Sequence, residues 1–180
     1  MPKFSSPRLA RVAAGLAVLC TSAVVPMTAQ AAPTTATVTV TGGSLSITVP
    51  TSAGNLGTLA NTVAGGVISG PLGQVQVSDA RSAAAGSGWV ASVISTAFTP
   101  NSGPTIGAAA VGYVAGPITK VGTATFTAND PPDLAGSAAA VTATGITGDN
   151  SATWNPTINV AVAGGKPAGT YSGTITHSVV

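Results

Sequence analysis

The sequence predicts an all-β protein, a sandwich of antiparallel strands behind an N-terminal export signal. Three observations carry that expectation. Beyond residue 31 the chain is punctuated throughout by Gly and Pro, the hydrophobic period between those marks is two, and β-branched residues fill the alternation. No segment of this remainder has helical spacing with caps, and Ala138–Ala143 is too short to change the reading.

Taken in order, Met1–Ala31 reads as a cleaved, helical signal peptide. Lys3, Arg8 and Arg11 form its charged start, Val12–Val25 its apolar stretch, and Ala29-Gln30-Ala31 the small-x-small cleavage site. Cys20, the only cysteine, lies inside the apolar stretch, and Leu19 before it does not suit lipoprotein processing. The mature domain is therefore residues 32–180, without thiols or disulfides. Ala32–Thr34 read as a frayed start, and Thr35–Thr41 alternates Thr with Ala or Val. Ser44–Val49 is a strand stopped by Pro50. Gly73–Asp79, Trp89–Phe98, Ala109–Val114, Val121–Ala128, Val141–Ile146, Thr157–Val162 and Thr170–Val179 have the same character. The Pro and Gly clusters at Asn129–Asp133 and Gly164–Gly169 are loops, because they cannot continue a ladder. Eight or nine short strands in one cysteine-free domain predict a β-sandwich of immunoglobulin-like type, with a closed barrel as its rival.

The charge left after the signal is small. Arg81, Lys120 and Lys166 stand against Asp79, Asp130, Asp133 and Asp149, for a net charge of −1. Nucleic-acid binding needs clustered cations to neutralise phosphates, so it is excluded, and an electrostatic grip on anionic membrane fails for the same reason. No second stretch reaches the ~18 apolar residues of a membrane span. No sortase-type signal closes the sequence, so retention at a cell surface is expected to be noncovalent.

Catalytic chemistry is scarce. A serine hydrolase would need His177 as its base, yet His177 falls in the last strand pattern and no Gly-x-Ser-x-Gly elbow is present. Four aspartates could supply a glycosidase pair, but Asp130, Asp133 and Asp149 sit in Pro- or Asn-containing segments where aspartate forms turns. Zinc has no ligand set, and Asn129, Asp130 and Asp133 match no calcium loop. The expectation is no catalytic residues, no metal and no cofactor. Aromatics are few enough to weigh singly. Trp154 reads as core, whereas Trp89 suits either core or an exposed platform for a sugar ring. Asp79 and Arg81, two apart in a strand, share a face and form a candidate ion pair.

Two blocks together resemble a known family. The first is Val75-Gln-Val-Ser-Asp-Ala-Arg81, a small-residue spacer, then Gly88-Trp-Val-Ala-Ser-Val93. The second is Trp154-Asn-Pro-Thr-Ile-Asn-Val160, then Ala168-Gly-Thr-Tyr-Ser-Gly-Thr-Ile-Thr-His177-Ser-Val179. Their order and spacing, from about Leu45 to Val179, resemble the WxL domain of Gram-positive cell-surface proteins. The resemblance implies an immunoglobulin-like sandwich, secreted and held noncovalently to the wall through peptidoglycan or with partner surface proteins. It makes Trp89 the first motif tryptophan, Asp79 and Arg81 the pair before it, and Tyr171 the closing-strand tyrosine. Both motifs are degenerate: Trp89-Val90-Ala91 lacks the leucine, and His177-Ser178-Val179 lacks the tryptophan.

The expected function is a secreted, non-enzymatic surface domain that binds a cell-wall polymer or another surface protein. Candidate ligand contacts are Trp89, Asp79, Arg81, Tyr171 and His177. The alternatives are a self-assembling subunit of a surface layer or fibre, in which a strand edge pairs with the next copy, and an Asp-dependent extracellular glycan hydrolase.

Overall fold

The computed structural model describes residues 35–180, in which ten strands and no α-helix occur. The strands are β1 (Leu45–Thr48), β2 (Gly66–Pro71), β3 (Val75–Ser95), β4 (Thr99–Pro100), β5 (Val111–Val114), β6 (Thr119–Ala128), β7 (Ala138–Trp154), β8 (Thr157–Val162), β9 (Tyr171–Ser172) and β10 (Ile175–Val179). One sheet has the order β1-β3-β7-β6, with β10 also on β3. β1 pairs with Gln76–Asp79 of β3, and β10 with its far end, from Ala91 to Ser95. A second sheet has the order β2-β8-β5, and β4 pairs only with β9. Every pairing is antiparallel.

Alternation builds the core. Val75, Val77, Trp89, Ala91 and Val93 of β3 point inward with Val141, Ala143, Ala152 and Trp154 of β7, against Val111, Tyr113, Ile158 and Val160 of the second sheet. The result is the sandwich that the period-two pattern predicts. No helix of the described residues is long and apolar enough to cross a membrane.

β3 is too long to stay straight. Its 21 residues would run ~70 Å at ~3.3 Å each, whereas a domain of this size has a breadth of about 40 Å. The ladder with β7 is regular over Val75–Asp79 and again from Trp89 to Ala91; between them it keeps only Ala83 opposite Gly148 and Ser87 opposite Ile146, with a register shift at each step. Ser82 there is left-handed at φ 53°, and the opposing stretch of β7 holds Gly145 at φ 63° and Gly148 at φ 72°. β6 shifts register over Val121–Thr125, beside the same stretch of β7. Three neighbouring strands therefore bulge together, and residues 80–88 form a bulged excursion tied to β7 only at Ala83 and Ser87.

The strand expectations need four corrections. Residues 35–41 form no strand, and Val38 is 89% exposed. An alternating pattern without a neighbour to pair with gains no ladder. β2 was not anticipated, because two glycines and a proline in six residues weigh against a strand. The segments at 73–79 and 89–98 are joined as β3, ending at Ser95, with Phe98 bridged separately to Ile106. The segment at 170–179 is interrupted at Gly173-Thr174 and serves two sheets. The two loops at 129–133 and 164–169 are loops. The signal peptide assigned to residues 1–31 lies outside the described residues.

Candidate functional site

Four of the five candidate residues are drawn into two side-chain relays. The first sits at the base of the excursion. Trp89 Nε1–H donates to Asn150 Oδ1 at 3.0 Å, and Asn150 Nδ2 donates to Asp79 Oδ2 at 3.1 Å. Arg81 grips the same carboxylate through Nε to Oδ1 at 2.8 Å and Nη2 to Oδ2 at 3.0 Å. Its backbone N–H adds a third bond, to Oδ1 at 3.2 Å. Arg81 Nη2 also donates to the Gly88 carbonyl at 3.3 Å. One guanidinium thus ties the strand before the excursion to the residue that ends it. Asp149 Oδ1 accepts the N–H of left-handed Ser82 at 2.8 Å, which fixes the first turn of the bulge.

The electrostatics match this bracing role. Asp79 is 1% exposed, while half of the pair stays in water, the Arg81 side chain being 37% exposed. Hydrogen bonding from the Arg81 side chain holds the Asp79 carboxyl below its ordinary value, outweighing desolvation, with help from Arg81 N–H and Asn150. The ion pair expected from the sequence is present, but its carboxylate is buried rather than surface-exposed. Trp89 is 2% exposed and its ring packs 5.7 Å from Phe126. Its faces are inside the domain, so of the two roles the sequence left open for Trp89, core or platform for a sugar, the core one holds.

The second relay crosses between sheets. Trp154 Nε1–H of β7 donates to Tyr113 Oη of β5 at 2.7 Å, and that hydroxyl lies 3.2 Å from His177 Nε2 of β10. The hydroxyl thus stands between the indole and the imidazole, while Nδ1 on the far side of the ring is buried without a hydrogen-bond partner. Burial pushes His177 down to about 4, and the tyrosine well above its ordinary value. Among the described residues no carboxylate hydrogen-bonds to the ring. The terminal histidine is a cross-sheet fastener.

Tyr171 stands apart from both relays. Its hydroxyl donates to the Pro167 carbonyl four residues back, at 2.8 Å, a closure of the kind that pins corners in immunoglobulin-like sandwiches. Its ring lines a trough of about 880 Å³ between residues 50–62 and Lys166–Ile175. Ile68, Leu72, Phe98 and Val160 are among its apolar lining, and threonine, serine and asparagine among its polar lining. Lys166 is the only charged side chain of that lining, and its Nζ donates to the Thr105 carbonyl at 2.6 Å.

Sequence reasoning found the Asp79–Arg81 pair but missed Asn150 and Tyr113, through which the relays run. Asn150 carried a readable signal: it occupies the inward phase of the series Asn150, Ala152, Trp154. Asp149, read as a turn former, lies within β7, whereas Asp130 and Asp133 do bind loop N–H groups, of Ala115 and Ala135. Among the described residues no three His, Cys, Asp or Glu side chains gather as a metal site. Comparisons with protein-family models, curated proteins and solved structures return no match.

Proposed function

We propose that this chain is a secreted, non-enzymatic domain that associates noncovalently with the bacterial cell wall, taking peptidoglycan or a partner surface protein in the trough. The observation that carries the reading is the character of that trough. It is wide enough for a ligand, yet its lining holds no carboxylate and no imidazole. The carboxylates are in use elsewhere: Asp79, Asp130, Asp133 and Asp149 each accept a backbone N–H at a bulge or loop. The WxL-like blocks supply the wall as the place of action. Because Trp89 is buried, the wall contact is assigned to the face that bears Tyr171.

Sedimentation with purified peptidoglycan tests this. The wild-type protein is expected in the pellet, and a folded Tyr171→Ala variant in the supernatant. Trp89→Phe, which keeps the core filled, should still pellet. Wild-type protein that stays wholly in solution, in the presence of walls and of wall-associated proteins alike, would remove the reading.

A subunit role in a surface layer has one observation in its favour: β6 ends its sheet, and its Val121 is 63% exposed. Concentration-dependent polymers in size-exclusion chromatography, abolished by Val121→Lys, would favour that role.

A further inference from the structure

Residues 35–41 carry the pattern of a strand and join none. Thr35, Thr37, Thr39 and Thr41 alternate with Ala36, Val38 and Val40, and among the described residues no ladder includes them. Val38 is 89% and Val40 85% exposed. Two β-branched apolar side chains in one phase of the alternation are what a sheet would bury on taking the segment in.

Among the described edge strands, β6 alone repeats this alternation, as Thr123-Ala-Thr-Phe-Thr-Ala128. Its first half is guarded by Lys120 and by the bulge at Gly122, φ 85°. Its last four residues have no charge and no proline, and Thr125–Ala128 keep unbroken register with β7. The edge of β5 is taken, since the Tyr113 N–H goes to the Pro131 carbonyl at 2.9 Å, and β2, with two glycines and a proline in six residues, is a poor template.

The free hydrogen-bonding groups of β6 follow from its pairing. Asn129 N–H donates to the Ala140 carbonyl at 3.0 Å. Main-chain groups of an antiparallel strand point alternately to its two sides, so Thr125 and Thr127 also face β7. Phe126 and Ala128 turn their N–H and C=O outward, where no strand of the described residues lies. The side chains agree in phase. Phe126 is buried and Ala124 half-buried, whereas Thr123, Thr125 and Thr127 are exposed. A neighbour with Ala36, Val38 and Val40 on its inner face extends the row of Phe126, and its threonines extend the outer row.

That neighbour comes from another molecule. Gly43 N–H is held by the Ala80 carbonyl, at the β1 side of the sheet. The slot beyond β6 lies four strand spacings from β1, ~19 Å, and the two residues from Gly43 back to Thr41 span at most ~7 Å. The segment therefore cannot lie along the β6 of its own chain. We propose that residues 35–41 of one copy pair with Thr123–Ala128 of a second copy, joining chains head to tail by strand addition. Donor and acceptor are different surfaces, so the contact is heterologous and repeats into a fibre or closes as a ring. It makes no use of the trough, and it gives the surface-layer reading a joint other than β6 against β6.

Sedimentation velocity of the full exported chain over a concentration series tests this, with two variants. Val38→Lys with Val40→Lys disables the donor and leaves the sandwich intact, because both side chains stand in water. Ala128→Pro removes an outward N–H and spares the bonds of Thr127 and Asn129 to β7. The wild-type mass is expected to rise with concentration, and each variant to stay a monomer. An equimolar mixture of the variants should form a dimer and stop there, since one offers only its donor segment and the other only its edge. If Ala128→Pro does not fold, a fluorescent peptide of residues 35–43 takes its place and should bind the lysine variant saturably, whereas the same peptide with both valines changed to lysine should not. A wild type monomeric at every concentration overturns the proposal. So does association that survives the lysine pair, which would place β6 against β6, or that survives a folded Ala128→Pro, which would place the joint at another edge. No saturable binding of the peptide overturns it as well.

Discussion

Asn150→Ala is the sharpest perturbation of the fold. Asn150 is 5% exposed and supplies both the acceptor for Trp89 Nε1–H and a donor to Asp79. Removing it leaves a buried indole N–H without an acceptor, which costs ~1–3 kcal/mol. The Asp79 carboxylate loses one of four hydrogen bonds and keeps the three from Arg81, so this second loss stays near ~1 kcal/mol. The expected destabilisation is about 3 kcal/mol, or a midpoint lowered by roughly 10 °C for a domain of this size. Urea unfolding followed by tryptophan fluorescence measures it, with an unchanged m-value showing that the denatured state is not what moved. The control is the same substitution in a Trp89→Phe background, where the orphaned donor no longer exists. There the cost of Asn150→Ala should fall by about 1–2 kcal/mol. Equal cost in both backgrounds, or a loss below ~0.5 kcal/mol as at an ordinary surface position, would refute the relay as the brace of the excursion.

Three further outcomes follow from the same geometry. His177 is depressed from 6.5 to about 4; the unfolded chain therefore takes up its proton first, and stability present above pH 6.5 falls as pH drops toward about 4. Urea midpoints across that range should show the slope, and His177→Gln, which keeps an acceptor for Tyr113, should flatten it. Arg81→Lys cannot reproduce the fork that holds both Asp79 oxygens and the Gly88 carbonyl. With the guanidinium partly in water it should cost about 1 kcal/mol, and hydrogen exchange should rise across residues 80–88 before it rises elsewhere. Limited proteolysis of the native protein should cut first within residues 51–61, where no ladder protects the backbone. Cuts first in the loop at 164–169 would contradict the weaker hold of residues 51–61.

Much of the sandwich was legible because the inward residues of β3, β7 and β8 keep a strict period of two over several positions. The errors fall where pairing, not propensity, decides. Residues 35–41 have a strand's composition and no partner, whereas β2 has a poor composition and β8 beside it. The join of β3 across residues 80–88 was hidden by the small residues of the excursion, which read as a linker until Asp79, Arg81 and Gly88 are seen to close it. Tyr113 gave no local sign that it would meet both Trp154 and His177, since those contacts span 41 and 64 residues.

This division bears on where function can reside. The residues with the strongest chemical signals, Asp79, Arg81, Trp89 and His177, are the ones that fasten the bend of β3 and the two sheets. Eleven of the twenty buried apolar residues are Ala or Val, and directional bonds fix the bend of β3 and the spacing between sheets alongside the packing of the larger side chains. Groups held in that way cannot also move toward a ligand without unfastening the fold. The binding proposed above therefore draws on the trough that Tyr171 lines rather than on the relays. Hence changes at the relays should alter stability first and binding only through it.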